Sequence, residues 1–203
     1  MIITYRIKFS ILYILFYIME TPKHPLTPEQ SRFFSKLRSF LPEKLYFYGS
    51  ILRDDFLPGL SDIDVLYFTK DDLKTSIQNA YRYLKQDTRA TKIQMLHFLY
   101  HSSGTKQVIS GYKLKYTNVS DGIIAEITAY DDKFKEMIID EQIRKANIPF
   151  FIVWTMLLLK ILAYKFRVLP EDTFRWIKDR LFINMSGIKN TFLPLDNESK
   201  TQL

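Results

Sequence analysis

Tyr46-Phe47-Tyr48-Gly49-Ser50, an interval of eleven residues (51–61), and then Asp62-Ile63-Asp64-Val65-Leu66-Tyr67-Phe68 form the stretch whose reading decides the fold. The run Leu45 to Tyr48 has the aromatic character of a short strand, and it stops at a glycine. Asp62 and Asp64 open a second apolar strand. Side chains alternate faces along a strand, so both carboxylates point the same way. Two like charges on one face repel, which favours a cation between them, and hard oxygen ligands of this kind suit magnesium. Gly49 lets the backbone approach a ligand closely, and the amides and hydroxyl after it are able to cradle a terminal phosphate. The interval holds one short helix and a return turn at Pro58-Gly59, which is enough for the two halves to converge.

Gly-Ser, about ten residues, then Asp-x-Asp between apolar residues resembles the signature of the nucleotidyltransferase superfamily, typified by DNA polymerase beta and the minimal nucleotidyltransferases. Ser61, directly before Asp62, and Arg53, three residues past Ser50, match frequent positions of that pattern. The resemblance covers roughly residues 27 to 130. It implies an α+β fold, a mixed and mostly antiparallel sheet flanked by helices, and a C-terminal helical extension is compatible with it. It also implies Mg2+, two ions, held by Asp62 and Asp64, and a nucleoside triphosphate, ATP by preference, whose phosphates meet Gly49, Ser50 and Arg53. A third carboxylate on a neighbouring strand completes such a site. Glu126 is the acid inside Ile123-Ile124-Ala125-Glu126-Ile127-Thr128, where the family more often has aspartate, and Asp121 and Asp131 at the strand's ends are the other candidates.

Composition sets the outer bounds. A chain of 203 residues builds one substantial core with room for a helical extension. The net charge of +7 favours a polyanionic partner: a nucleoside triphosphate, a nucleic acid or an acidic surface. The absence of cysteine excludes a disulfide framework and thiolate metal sites, and fits a reducing, cytoplasmic compartment. His97 and His101 share a strand face, but with no third nitrogen or sulfur ligand nearby they read as ordinary strand histidines.

Residues 1–25 form an apolar segment and linker. Phe9 to Met19 is nearly unbroken apolar, too short to span a bilayer as a helix, and reads as a packed peripheral element, a surface anchor, or sequence upstream of a start at Met19. Thr27-Pro28-Glu29-Gln30 is a helix start of the capping-box type, and Phe33, Phe34, Leu37 and Phe40 follow at helical spacing. Another helix follows Asp71-Asp72. Strands are expected over 93–101, 107–117 and 123–130 as an antiparallel meander. Helices follow over 131–147, 149–167 and 171–182. Lys160, Tyr164 and Arg167 recur at helical spacing, either to line a nucleotide or as an exposed edge. The expected units are 26–147 (nucleotidyltransferase-like), 148–190 (helical extension) and 191–203 (tail).

Two functions fit. One is nucleotidyl transfer to a hydroxyl on a nucleic acid, protein or small molecule; the other is an inactive module of the same fold that binds nucleic acid or a partner protein.

Overall fold

The computed structural model describes residues 19–85, 91–102 and 105–193. Helix α1 spans Pro28–Phe40 and starts as its sequence dictates: the Thr27 hydroxyl accepts from the Gln30 amide, and the Gln30 side chain accepts from the Thr27 amide. That reciprocal cap satisfies two amides the helix cannot. Strand β1 (Tyr46–Tyr48) runs into a 3-10 turn over Gly49–Leu52, then β2 (Ile63–Thr69), helix α2 (Leu73–Lys85), β3 (Thr91–Ser102), β4 (Thr105–Asn118) and β5 (Ile123–Asp131). A short 3-10 turn leads to α3 (Lys135–Ala146), α4 (Phe150–Lys160) continuing as a π turn over Ile161–Lys165, α5 (Glu171–Ser186) and β6 (Lys189–Phe192).

The six strands lie in the order β1-β2-β5-β4-β3-β6. Only β2 and β5 are parallel among these pairs, so the sheet is mixed and mostly antiparallel, and β3-β4-β5 is the meander that the strand pattern predicts. Strand alternation gives two cores. On one face Phe47, Val65, Tyr67, Leu114 and Ile127 meet Phe34 and Leu37 of α1 and Ile77 and Leu84 of α2. On the other, Tyr46, Leu66, Phe68, Phe98 and Ile109 meet Ile138 and Ile139 of α3. A third cluster, including Ile152, Met156, Ala163 and Phe174, holds α4 to α5.

The sequence reading of the carboxyl-terminal part is changed in one respect. The last helix continues to Ser186, ends on Gly187 in the left-handed conformation (φ 68°), and turns back into β6 at the sheet edge. Nothing in Lys189–Phe192 alternates, because an edge strand with little burial is under no pressure to do so. The apolar run before Met19 lies outside the described residues; Met19 itself is buried in the second core.

Candidate active site

The register of β1, β2 and β5 builds the site. Tyr48 is opposite Asp64 in the antiparallel pair, and Asp64 is opposite Glu126 in the parallel pair. Asp62 sits two residues upstream of Asp64, so the period of two brings it to the same face. One oxygen from each of Asp62, Asp64 and Glu126 lies within 4.8 Å of the others. Asp121 and Asp131 do not join them: Asp121 is exposed in the β4–β5 turn, bonded to Asn118, and Asp131 caps the turn at Lys133.

Gly49 closes the site from the β1 side. Its φ of +75° is one that side-chain-bearing residues rarely adopt, and a Cβ there would overlap the Asp64 carboxylate, 3.2 Å from its Cγ. Ser50 follows, buried, in the turn that starts at Gly49. The loop returns through a turn in which the Ser61 hydroxyl accepts from the Leu57 amide and the Ser61 amide donates to the Leu57 carbonyl. This delivers Asp62 to the strand start.

Electrostatics mark the cluster as one that wants positive charge. Burial first, then the charges of Asp62 and Glu126, push the Asp64 carboxyl well above the ordinary carboxylate range, against the opposing pull of Lys113 and Lys178. Burial and the Asp64 charge likewise push the Tyr48 phenol up, and its hydroxyl lies 3.2 Å from Thr128 Oγ1. Lys113 Nζ is 2.5 Å from one Glu126 oxygen and Lys115 Nζ is 3.8 Å from the other. These two lysines alternate along β4, opposite Thr128 and Glu126. Three carboxylates with no nitrogen or sulfur donor among them are a ligand set for a hard divalent cation. Among the described residues this is the one acid or histidine cluster with that geometry; His97 instead bonds Ser110 (2.9 Å).

Arg53 takes a different partner from the phosphate expected of it. Its guanidinium is buried, grips Asp55 through Nε (2.8 Å) and Nη2 (3.1 Å), and lies over the Phe182 ring of α5 at 5.0 Å. A guanidinium gripped along its Nε–Nη2 edge by a buried carboxylate contributes structure to the loop. Lys160, expected on an exposed edge or beside a nucleotide, is also buried: its amine donates to the Asp55 carbonyl (2.9 Å) and to Ser61 Oγ (3.3 Å), and lies 3.1 Å from Asp55 Oδ2. Asp55 is fully buried. The helical extension is thereby tied to the loop that carries the acids. Tyr164 packs edge-on against Phe174, close enough to Asp62 for that charge to help burial push its phenol up, whereas Arg167 is exposed. Asp55, Lys113 and Tyr48 are the members that sequence reading missed. The available signal was a lysine interrupting the apolar run of α4 and a pair of charges, Arg53 and Asp55, inside a loop rich in apolar residues.

The nucleotidyltransferase domain family matches residues 28–111, which include α1, the Gly-Ser turn and both aspartates. A comparison with curated proteins finds no match. Among solved structures the chain is similar to Cid1, an RNA terminal uridylyl transferase, with a TM-score of 0.40 and 13% identity over 76% of this chain and 46% of that one. It is also similar to a chain of the poly(A) polymerase complex GLD-2–GLD-3, with a TM-score of 0.39 and 13% identity over 76% of this chain and 49% of that one. The chain thus spans about half the length of these two solved structures. What the comparisons show for this chain is similarity of residues 28–111 to the nucleotidyltransferase domain family.

Proposed function

We propose that this protein transfers a nucleoside monophosphate from a nucleoside triphosphate, ATP by preference, to a hydroxyl acceptor. The observation that carries the reading is the convergence of Asp62, Asp64 and Glu126 within 4.8 Å beside the left-handed Gly49. In this reading the three carboxylates hold two magnesium ions. Bound magnesium supplies charge neutralisation on the triphosphate and lowers the pKa of the attacking hydroxyl. Gly49 and Ser50 receive the β- and γ-phosphates through the turn's backbone, a close approach that a larger residue at 49 would block. The acceptor oxygen bonds to the α-phosphorus, its proton passes to a carboxylate or to water, and pyrophosphate leaves. Arg53 and Lys160 act on the loop through Asp55 and so position Ser61 and Asp62. Residues 26–147 form the catalytic unit and 148–190 the extension that braces it.

The acceptor class that best fits a chain of net charge +7 is a nucleic acid. A second reading, an inactive module that binds nucleic acid or a partner protein, draws on the lysines against Glu126, which already neutralise the third acid.

Magnesium-dependent transfer of labelled nucleotide, compared between the wild type and the Asp62→Ala, Asp64→Ala double variant, tests the first reading. The expected result is transfer that falls to background in the double variant and on chelation. Label that persists in the double variant removes the site assignment. A wild type that transfers none of the four nucleotides but binds RNA with steep salt dependence favours the second reading.

A further inference from the structure

The outward face of α4 is the least expected surface of the molecule. From Pro149 to Leu159 the sequence carries no charge. Ile152, Val153 and Met156 turn inward to the third core, and the opposite face is apolar too: Phe150 is 76% exposed, Phe151 54%, Trp154 69% and Leu158 58%. A helix apolar all round belongs inside a larger structure. We propose that this face is the contact by which two copies of the chain pair across a two-fold axis.

Shape, area and charge each support a second copy as the occupant. Phe150, Trp154 and Leu158 are spaced four apart and form one ridge, and Phe151 and Thr155 form the next. Ridges of the four-apart kind interdigitate with their equivalents when helices cross at about 50°, the commonest helix packing in globular proteins. Thr155 is the small member between large ones, and its hydroxyl donates to the Phe151 carbonyl (2.8 Å). One ridge with its neighbouring groove is presented by both copies, as a two-fold contact requires. At about 200 Å² for a whole side chain, the four exposed residues present about 500 Å² per copy. Complete burial of these side chains in two facing copies would remove about 1,000 Å², the lower bound for a biological interface. With no charge on the ridge, pairing strands no ion, whereas a nucleic acid would find no cation there to meet its phosphates.

The chain has no cysteine, so Thr155→Cys installs a sole thiol at the centre of the face. Val119→Cys, in the β4–β5 turn and 86% exposed, is the control. Sedimentation of the full-length wild type at micromolar concentrations is expected to show a dimer. A short bis-maleimide is expected to crosslink Thr155→Cys and not Val119→Cys. Trp154→Glu is expected to weaken the dimer by about thirtyfold or more, as loss of a buried tryptophan anchor does. The crosslinking result stands even if Trp154→Glu fails to fold. A monomeric wild type overturns the proposal, and so does a dimer that Thr155→Cys fails to crosslink. Monomers that sediment with phosphatidylserine vesicles overturn it in favour of a membrane surface. A monomeric Thr155→Cys variant whose thiol is slow to react overturns it in favour of burial by another part of the chain.

Discussion

Gly49 carries two constraints that no other residue type satisfies together. Its backbone is left-handed, and the space where a side chain would begin belongs to the Asp64 carboxylate. Alanine therefore meets a conformational cost of about 1–2 kcal/mol and must also displace an acid of the site. Gly49→Ala is expected to lower stability by at least that amount in urea unfolding and to reduce nucleotide transfer far more than the stability loss explains, because Asp64 moves. A variant that unfolds earlier yet transfers normally at low temperature would show that Asp64 has no part in the reaction. The acids and the glycine were legible in the sequence because each belongs to a local pattern: a strand that stops, a strand that starts, an acid where apolar residues alternate. The partners of Arg53 were not. A side chain whose fork closes on Asp55 only two residues away reads the same in sequence as one reaching for phosphate, and burial, which decides between them, is a property of the folded chain.

At the level of elements, the Asp55 anchor joins the loop before β2 to the end of α4. Burial pushes its carboxyl up, but the hydrogen bond and charge of Arg53, with Lys160, outweigh it and hold the carboxyl below the ordinary range. Burial holds the Lys160 amine below the ordinary lysine range, more strongly than Asp55 pulls it up. Since the folded pKa of Asp55 lies below its unfolded one, the stability it contributes is present above about pH 4 and is lost as pH falls through the folded value. Asp55→Asn strands two buried cations and is expected to cost about 3–5 kcal/mol near neutrality. Urea titrations from pH 7 down into the acid range test this: the variant should begin less stable and lose less on acidification. An unchanged acid arm would mean that other carboxylates set it. Lys160 was hard to assign because periodicity places it on a helix face without saying what that face meets. The meander and α1, in contrast, followed from alternation and from a reciprocal cap, both local rules.

Across the whole molecule, β6 shows how the carboxyl-terminal segment is made part of the sheet. Its backbone pairs with β3, the Leu193 amide donates to the His97 carbonyl (2.9 Å), and Asn190 donates to Glu141 of α3 (2.8 Å). Phe192 lies 6.0 Å from Phe98, ring to ring. Proline at Thr191 cannot donate to the ladder and is expected to open this edge, costing about 1–3 kcal/mol. The exposed β3 margin should then promote association through strand edges, read as faster growth of light scattering on warming. Stability and scattering equal to wild type would show that β6 contributes no protection.

The parallel pairing of β2 with β5 has a consequence for the making of the protein. Asp64 and Glu126 become neighbours only after α2, β3 and β4 have been traversed and the chain has returned to lie beside a strand laid down much earlier. No short peptide contains the constellation, so a cation has nothing to organise until that long excursion closes. A nascent chain stalled on the ribosome before Ile123 exits thus carries the Gly-Ser turn and both aspartates yet has no glutamate to complete them. The three-acid cluster is complete only past a definite point in translation.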